Sequence, residues 1–323
     1  MASIKVSLRK VGKVYDAGIA PALTDVSLDI AEGSICVLMG LSGSGKSTLL
    51  RTMNGLAVPT AGQVLVDGVD LAQLTPRRLQ QWRREAAGMV FQSSALFAHL
   101  SVIDNTAFGL ELAGVGRKER HRRAGAVLEQ VGLLAHAKQY PHQLSGGMRQ
   151  RVGMARALAV NPSLLLMDEA FSALDPLKRR EMQELLLELQ RAQRRTIVFV
   201  SHDIDEALRL GDQIALLHGG KLLQQGAPRA LLDHPVNEHV RAFFQSADTS
   251  SHLLASDLID HEAGETTVPE LISVPADSRL SELMPRLGAF RLPLTVRDAS
   301  GVALGLITAA SALRTISRAS ARN

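Results

Sequence analysis

Short apolar runs, each followed by a longer segment with helical spacing, dominate the first three quarters of the chain. The uninterrupted runs are residues 35–39, 164–167, 196–200 and 214–217. Strands this short and continuously apolar, with helices between them, predict a parallel sheet that is covered on both faces. Binding and catalytic groups of such sheets gather at the carboxyl ends of the strands. Polar residues or glycines directly follow these runs, so the pattern predicts a site at that edge.

A second pattern, the alternation of apolar and polar residues, marks the N-terminal part of the chain. It includes two sets with a spacing of two residues, Ile4, Val6, Leu8 and Val26, Leu28, Ile30. Alternation with this period is typical of strands that bury one face. A further short run at 64–66 leads into Asp67-Gly68, which is a turn signal. These segments predict an antiparallel layer beside the parallel sheet.

The pattern changes towards the C-terminus and predicts a second, smaller unit. A last helix of the first unit is expected at 237–245. Residues 246–267 are rich in Ser, Asp, His, Thr and Gly, which indicates a linker. Apolar spacing then resumes with one helix and two strands. The expected organisation is an α/β domain over residues 1–245, a linker over 246–267 and a small α+β unit with a basic tail over 268–323.

Composition narrows the classes of protein without choosing among them. The chain has 323 residues, of which 46% are hydrophobic and 21% are charged, as in globular proteins. Its net charge of +4 is small for this length, so no nucleic-acid partner is expected. Cys36 is the single cysteine, which excludes an intrachain disulfide and fits a reducing compartment. The N-terminal segment lacks an apolar signal core, and no apolar stretch is long enough to span a bilayer.

The clearest chemical motif is the phosphate loop, residues 40–48, whose sequence GLSGSGKST matches GxxxxGK[ST]. Its glycines let consecutive backbone N–H groups point inward, and the helix that begins near Lys46 adds its positive end. Lys46 can reach the β and γ phosphates of a nucleotide, and the Ser47 hydroxyl can hold Mg²⁺. The motif therefore predicts an ATP site. Its expected ligands are Gly40, Ser42, Gly43, Ser44, Gly45, Lys46, Ser47 and Thr48.

Two carboxylates, Asp168 and Glu169, directly follow the apolar run at 164–167. A carboxylate in this place can organise Mg²⁺, directly or through water, and its neighbour can polarise an attacking water. Taken alone, an apolar strand that ends in Asp-Glu is common. Beside a phosphate loop it is the expected companion, and Asp168 is predicted to be a metal ligand.

A second glycine-rich segment, the signature turn Ser145-Gly146-Gly147, precedes a helix through residues 150–158. Free backbone N–H groups, a hydroxyl and the helix dipole make this turn another anion site. It has no lysine and no strand before it. The turn is therefore not expected to hold a nucleotide alone.

The signature turn lies within residues 144–151, LSGGMRQR, which resemble the signature sequence of ABC-transporter ATPases. With the phosphate loop, Gln92, residues 172–175 and His202, the motif set of that family occurs in family order across about residues 4–245. The resemblance implies a P-loop NTPase fold with a mostly parallel sheet, an antiparallel β subdomain and a helical signature subdomain. It also implies ATP hydrolysis with Mg²⁺ and a head-to-tail dimer, in which the signature turn completes the ATP site of a second copy.

Roles for single residues are implied by the resemblance alone. Glu169 resembles the general base, and His202 resembles the histidine that contacts the γ phosphate. Gln92 resembles the glutamine that senses Mg²⁺ and follows the membrane subunit, and Asp175 resembles the residue that communicates across the dimer. Tyr15 resembles the aromatic residue that stacks on adenine. An ordinary strand-end histidine and a merely packed tyrosine are the alternatives for His202 and Tyr15.

Longer stretches resemble the ATPases of importers of glycine betaine, proline and choline. They are residues 39–48, 91–96, 104–109 and 167–175, and the alanine-phenylalanine pair after Glu169 is their most particular feature. The alternatives are the ATPase of another small-solute importer, of the amino-acid type, and a soluble ABC ATPase that acts outside transport. The solute itself never touches such a chain, so its identity rests on analogy.

The resemblance also implies partners and a location. The partners are an integral membrane permease, a second copy of this chain, and a periplasmic or lipid-anchored solute-binding protein. The chain is expected at the cytoplasmic face of the plasma (inner) membrane, bound peripherally. Family members receive the permease after the glutamine at position 92. The apolar residues Leu96, Phe97, Leu100 and Val102 can form a groove for it, pack within the helical subdomain, or do both.

The C-terminal region resembles a CBS motif, which normally occurs in pairs but is found once in this chain. A Leu-rich helix at 281–287, the strand around Val296 and residues 305–308 carry the resemblance. Ser311 stands where nucleotide-binding versions often have Asp, so a regulatory adenine-nucleotide site is not expected. One hypothesis is that the motif pairs with its copy across the dimer. The basic end either contacts anionic lipid or is a solvated tail; its cations are Arg314, Arg318 and Arg322.

Overall fold

The chain forms two compact units, one up to Val240 and one from Arg241. The computed structural model describes residues 3–16, 20–245, 253, 255–260, 273–278, 280, 283 and 293–320. Each unit is built around its own buried apolar cluster.

The larger unit combines strands and helices in alternation. Its described strands are β1 (Ile4–Lys13), β2 (Leu23–Ala31), β3 (Ile35–Met39), β4 (Ala61–Val66), β5 (Val69–Asp70), β6 (Ala87–Val90), β7 (Leu164–Asp168), β8 (Thr196–Val200), β9 (Gln213–His218) and β10 (Lys221–Gly226). Its described helices are α1 (Lys46–Thr52), α2 (Pro76–Ala86), α3 (Val102–Leu112), α4 (Arg117–Gln130), α5 (Gly146–Ala159), α6 (Pro176–Gln193), α7 (Ile204–Leu210), α8 (Pro228–Asp233) and, across the unit boundary, α9 (Glu238–Phe244). None of the helices in the described ranges has the length and apolar character that crossing a bilayer requires.

One sheet is the antiparallel layer that the alternation of apolar residues predicts. Its strand order is β2-β1-β4-β5. Leu8 lies opposite Leu28 on one side and Val64 on the other. These three side chains are 0–1% exposed, because alternate positions of each strand face the core. The layer packs into the same apolar cluster as the second sheet.

The second sheet has the order β10-β9-β3-β8-β7-β6. The four predicted apolar runs, β3, β7, β8 and β9, are parallel to one another, and β3 lies between β8 and β9. Since parallel neighbours end at the same edge, the segments after β3, β7 and β8 come together there. This edge carries the phosphate loop, Glu169 and His202.

Two strands of this sheet, β6 and β10, are not predicted by the hydrophobic pattern. β6 is only four residues long and contains Gly88, so it presents neither an apolar run nor a clear alternation. β10 is an antiparallel edge strand with the polar residues Lys221, Gln224 and Gln225. An edge strand with solvent on one side needs few apolar side chains, which explains its polar sequence.

Helices α3, α4 and α5 form the helical part of the unit, inserted between β6 and β7. Ser101 caps α3 and Ser145 caps α5, each by accepting a hydrogen bond from the backbone N–H three residues later. The faces that meet are apolar and fully buried; they include Val102, Ala124, Leu128 and Val152. Of the two alternatives for Val102, packing within the helical subdomain is therefore the one that the structure shows.

The smaller unit, as far as it is described, contains β11 (Ser273–Pro275), β12 (Leu294–Arg297), β13 (Ala303–Ile307), α10 (Ala309–Ser320) and a 3₁₀ turn at Ala255–Leu258. β12 pairs with β11 in parallel and with β13 antiparallel. Leu258, which the sequence pattern assigns to the linker, is fully buried in this unit's core. The helix expected at 281–287 lies outside the described residues except for Leu283, which is buried.

Candidate functional site

The phosphate loop connects buried strand β3 to α1 and depends on two glycines. A Cβ atom on Gly40, whose φ is +142°, would lie 2.1 Å from the Leu217 carbonyl oxygen. A Cβ atom on Gly45, whose φ is +97°, would lie 2.5 Å from the Ala22 carbonyl oxygen. No larger residue fits at either position. The neighbouring backbone at Leu217 and Ala22 therefore fixes the path of the loop. Without side chains at Gly40 and Gly45, the loop backbone can approach a ligand closely.

Lys46 is turned into the loop and is 6% exposed. Its Nζ donates hydrogen bonds to the carbonyl oxygens of Gly40, at 2.7 Å, and Leu41, at 3.0 Å. Burial lowers the pKa of the Lys46 ammonium, and the nearby charges of Glu169 and Asp168 oppose this shift. The side chain is thus a cation held against the curve of the loop.

The buried Ser44 hydroxyl is a further polar group of the loop. Among the described residues it has no hydrogen-bond partner. An unpaired buried hydroxyl is costly unless a ligand satisfies it. With the inward-curving backbone and the Lys46 ammonium, it fits an anionic group such as a phosphate.

The Ser47 and Asp168 side chains meet although they are 121 positions apart. Ser47 Oγ donates a hydrogen bond of 2.7 Å to Asp168 Oδ1. Arg51, one turn further along α1, lies 3.7 Å from Asp168 Oδ2. Hydroxyl and carboxylate oxygens are the ligands that Mg²⁺ prefers, so this pair fits that ion. The sequence predicts both residues as metal ligands, and the fold brings them into contact.

Glu169, Gln92 and His202 form a cluster at the same sheet edge. Gln92 Nε2 lies 3.3 Å from Glu169 Oε2, and His202 Nδ1 lies 3.8 Å from Glu169 Oε1. Glu169 has a left-handed backbone with φ of +47°, while its N–H bonds to the Val200 carbonyl oxygen. A non-glycine residue in this region is uncommon and recurs at functional sites. Glu169 thus combines a strained backbone with a carboxylate in contact with Gln92.

Tyr15 lies at the outer side of the phosphate loop. Its hydroxyl is 3.4 Å from Thr48 Oγ1, and the Lys13 ammonium lies 5.0 Å from the ring centroid. The side chain is 56% exposed, so most of the ring is open to solvent. An exposed aromatic ring beside a phosphate site can stack on a nucleobase.

The signature turn begins α5 and is separate from the phosphate loop. Ser145 Oγ accepts a hydrogen bond of 3.3 Å from the Met148 N–H, and Gly147 packs beside the side chain of Lys178. Within the described part of the chain, no hydrogen bond or ion pair joins the turn to the phosphate loop. The turn borders a pocket of about 280 Å³ that is lined by α5, α6 and the segment from Gly132 to His136. Ser145 and Gly146 of the turn are exposed.

Asp175 caps α6 and accepts a hydrogen bond of 3.0 Å from the Lys178 N–H. This backbone bond, together with the Lys178 charge, lowers the pKa of the carboxyl. Asp175 is thus an exposed anion at the start of a helix, and it makes no described contact with the Glu169 cluster.

The sequence alone does not predict the contacts of several residues at this site. The Ser172 hydroxyl lies 3.3 Å from Gln92 Nε2 and donates to the Glu169 carbonyl oxygen at 2.9 Å. Arg179 donates a hydrogen bond of 2.8 Å to Asp203 Oδ2 and a second one to the Leu174 carbonyl oxygen. Ser172 lies inside a motif, which is a usable signal, but the contact of Arg179 depends on how α6 and α7 pack.

A buried carboxyl stands behind His202. Glu206 accepts hydrogen bonds from Ser201 Oγ and from Gln183 Nε2 on α6. Burial raises the pKa of the Glu206 carboxyl, and the bonds from Ser201 and Gln183 oppose this shift. The residues on both sides of His202 are thereby anchored to α6.

Comparisons with known proteins agree with this geometry. A family model described as ABC transporter matches residues 23–172. The ATP-binding protein of the glycine betaine/proline betaine transport system of Escherichia coli K12 is 54% identical over 79% of this chain and 64% of its own length. The ATP-binding protein of the trimethylamine N-oxide transport system of Ruegeria pomeroyi is 47% identical over 72% of this chain and 68% of its own length. A solved structure, a dimeric bacterial ABC transporter cassette, superposes with a TM-score of 0.64 at 37% identity and covers 69% of this chain and 99% of that one.

The fold and the site thus define a P-loop ATPase cassette. The chain belongs to the family of ABC-transporter ATP-binding proteins. The resemblance that the motifs carry, including the one to glycine betaine systems, is confirmed by these relatives. The chain matches less than two thirds of the length of the glycine betaine relatives, 64% in the Escherichia coli protein.

Proposed function

We propose that this chain is the ATP-hydrolysing subunit of an ABC importer that takes up a quaternary-amine osmoprotectant such as glycine betaine, proline betaine or choline. The observation that carries the proposal is the meeting of the phosphate loop, the Ser47–Asp168 pair and the Glu169 cluster at one sheet edge. The relatives that are 48–54% identical are named as ATP-binding proteins of glycine betaine transport. Relatives named for methionine import, at 38–44% identity, support the amino-acid type of importer less well.

The residues of the larger unit divide the reaction among them. The phosphate loop holds the ATP phosphates, with Lys46 as the cation and Tyr15 stacked on adenine. Ser47, Asp168 and Gln92 would hold Mg²⁺, which would supply positive charge beside the phosphates. Glu169 accepts the proton of the attacking water, and its hydrogen bond with Gln92 orients it. His202, 3.8 Å from Glu169, contacts the γ phosphate.

Two copies are needed for a complete site. The signature turn is an anion site without a lysine, and in this chain it makes no described bond to the phosphate loop. In a head-to-tail dimer, the turn closes over the γ phosphate that the other copy holds, and Asp175 reaches across the contact. A related cassette, described as dimeric, supports this arrangement. Two equal sites then follow from twofold symmetry.

A trapped dimer tests this proposal. Glu169→Gln keeps the phosphate ligands and removes the base, so we expect ATP to double the mass of this variant in analytical ultracentrifugation. Adding Ser145→Arg should return the mass to that of a monomer while ATP still binds. A mass that never doubles with ATP, or doubling that survives Ser145→Arg, would contradict the shared site.

The remaining partners follow from this role. The chain works at the cytoplasmic face of the plasma membrane with an integral permease and a periplasmic or lipid-anchored solute-binding protein. Phe97, which is 36% exposed and whose ring lies tilted against that of Phe108, is the apolar residue that we propose for the permease contact. Reconstitution with the permease and a panel of glycine betaine, choline, carnitine, proline and methionine tests the substrate. Uptake of methionine without uptake of the betaines would favour the amino-acid type.

The C-terminal unit carries a single CBS-like motif over residues 268–323, and Ala255 and Leu258 of the predicted linker add buried side chains to its core. Its described strand order and the helix after β13 support this reading. Thr308 Oγ1 donates to Asp260 Oδ2 at 2.8 Å, and Ser311 Oγ donates to the Leu258 carbonyl oxygen at 2.7 Å. Because the chain itself engages these hydroxyls, we expect the unit to bind no adenine nucleotide. We propose separately that the unit pairs with its copy across the dimer. Unchanged dimerisation and unchanged salt response after truncation at Gln245 would contradict that role.

The basic tail has a smaller part in the proposal. Arg314 is paired with Asp260 at 3.0 Å. The tail's cations Arg314, Arg318 and Arg322 are proposed to contact anionic lipid. Arg322 lies outside the described residues. Replacing the three arginines with glutamine should weaken the salt response of the complex in liposomes.

A further inference from the structure

A buried glutamine of the signature helix lies behind the Glu169 cluster. Gln150 is the fifth residue of α5 and is 5% exposed. Its side-chain nitrogen donates to the Phe91 carbonyl oxygen at 3.1 Å and to the Ala170 carbonyl oxygen at 2.5 Å. A primary amide has two N–H donors, so both are used. Each acceptor is adjacent in sequence to a residue of the site: Phe91 precedes Gln92, and Ala170 follows Glu169.

The place of these two carbonyl groups explains why they need a side-chain donor. Strands β6 and β7 are parallel neighbours, and their register ends at the pair Val90 and Met167. Beyond that pair the chains diverge into two separate loops. Gln150 bridges the loops with one planar group, and on their other side Gln92 Nε2 lies 3.3 Å from Glu169 Oε2. The amide of Gln150 therefore ties the backbone beside Gln92 to the backbone beside Glu169.

Helix α5, which contains Gln150, begins with the signature turn. The hydrogen bonds of Gln150 therefore connect this turn to the segments that carry Gln92 and Glu169. Ser145 caps α5 one and a half turns before Gln150. Further along α5, Arg156 donates to the carbonyl oxygens of Ala95, at 2.7 Å, and Ser94, at 3.1 Å. The helix is thus fastened to the chain on both sides of Gln92, by Gln150 to Phe91 before it and by Arg156 to residues 94–95 after it. A helix is stiff over this length, so a shift of its first turn displaces the bridge.

We propose that Gln150 is a positioning residue for hydrolysis: it holds Gln92 and Glu169 at their working separation and makes that separation depend on the signature turn. The inference rests on the proposed ATPase function. Through Gln150, binding of the partner's nucleotide at the signature turn changes the position of Glu169 in the chain that carries the turn. Gln150 touches no substrate, and its effect is on geometry alone.

The first test removes both donors while keeping the size of the side chain. In the full chain, Gln150→Leu should lower kcat by roughly tenfold to a hundredfold, because small displacements of a base have effects of this size. The affinity for a fluorescent ATP analogue should stay within about twofold, since the phosphate loop is untouched. The matched control is Gln190→Leu, which removes a side-chain amide donating to the Gly33 carbonyl oxygen at 2.6 Å. It should leave kcat unchanged.

Two outcomes of this test overturn the inference. One is a Gln150→Leu enzyme with the parental kcat. The other is a parallel loss of kcat, ATP affinity and thermal midpoint, which a merely structural residue would give. If the unaltered chain hydrolyses ATP and Gln150→Leu equals it, only this inference fails. If the unaltered chain itself does not hydrolyse ATP, the proposed function fails.

The second test uses the protonation of a carboxyl at the same place. Gln150→Glu has no donor when ionised and one donor when protonated. Since an ionised carboxylate facing two carbonyl oxygens is disfavoured, protonation occurs in an accessible pH range. The kcat of Gln150→Glu relative to the parent should rise as the pH is lowered, whereas the Leu variant should keep a constant ratio. A constant ratio for Gln150→Glu contradicts the bridging role.

A third measurement needs no turnover. Hydrogen exchange of the amides at 92–95 and 169–172 should become faster in Gln150→Leu and remain parental in Gln190→Leu. Exchange that is unchanged in both segments overturns the inference.

Discussion

The phosphate loop and the signature turn are both glycine-rich helix starts, yet they differ in what stands behind them. The loop is backed by buried strand β3, contains Lys46 and is joined through Ser47 to Asp168. The signature turn has a serine cap and exposed surface, follows a 3₁₀ turn rather than a buried strand, and has Arg149 of α5 and Lys178 of α6 beside its glycines. Two anion sites of similar backbone chemistry thus have different surroundings. We expect the loop to bind a nucleotide by itself and the turn to complete a site that a second copy provides.

The largest expected effect separates binding from chemistry at the loop. Glu169→Gln should lower turnover by about 10² to 10⁴, because it removes the group that accepts the proton. ATP affinity should remain near that of the parent, since Lys46 and Ser47 are intact. The measurement is steady-state phosphate release beside equilibrium nucleotide binding. Glu184→Gln, at an exposed carboxyl paired with Arg209, is the matched control, and it should hydrolyse ATP at the parental rate. Parental turnover of Glu169→Gln would show that another group is the base.

The second effect tests how tightly the loop is fixed by its neighbours. Gly40→Ala places a Cβ atom 2.1 Å from the Leu217 carbonyl oxygen and should lower the free energy of unfolding by about 2–4 kcal/mol. Gly43→Ala meets nothing within 4 Å and strains only a positive φ, so about 1–2 kcal/mol is expected. Urea unfolding with nucleotide titration measures both. Equal losses for the two variants would show that the strand behind the loop does not constrain Gly40.

The same two regions show how far the sequence predicts this molecule. Residues 40–48 are predictable because the glycine spacing, the preceding apolar run and the following helix are local features. The antiparallel layer and the four parallel strands are likewise predicted from local alternation or local apolar runs.

Contacts that depend on sheet order are not predictable in this way. The bond between Ser47 and Asp168 spans 121 positions; the motifs predict both residues as metal ligands, but no local pattern predicts their direct hydrogen bond. The left-handed backbone of Glu169 and the double bond of Gln150 leave no mark in the hydrophobic pattern. β6 escapes notice because a four-residue strand with a glycine has no usable period. In these cases the side chains meet because their strands are neighbours in the sheet. The order of the strands along the chain does not give their order in the sheet.

The third prediction concerns the signature turn and separates its structural role from its functional one. Ser145→Ala and Ser101→Ala each remove a helix cap and should each lower the free energy of unfolding by about 1 kcal/mol. Only Ser145→Ala should also lower turnover, by about tenfold or more, because its hydroxyl faces the partner's phosphate. Thermal unfolding and turnover at several protein concentrations distinguish the two. Equal turnover in both variants would reduce Ser145 to a cap.

The smallest effect belongs to the outer side of the phosphate loop. Tyr15→Ala should weaken ATP binding by about threefold to tenfold, the range that an aromatic stack contributes. Tyr15→Phe should bind like the parent, because the ring remains and the hydroxyl only makes a long contact of 3.4 Å with Thr48. Titration with ATP and with inorganic triphosphate separates a stacking role from a packing role. Stacking predicts that only ATP binding weakens in Tyr15→Ala. Equal weakening for both ligands would instead mean that Tyr15 supports the phosphate loop through Thr48. The phosphate site would then depend on the first turn of α1 as well as on the glycines of the loop.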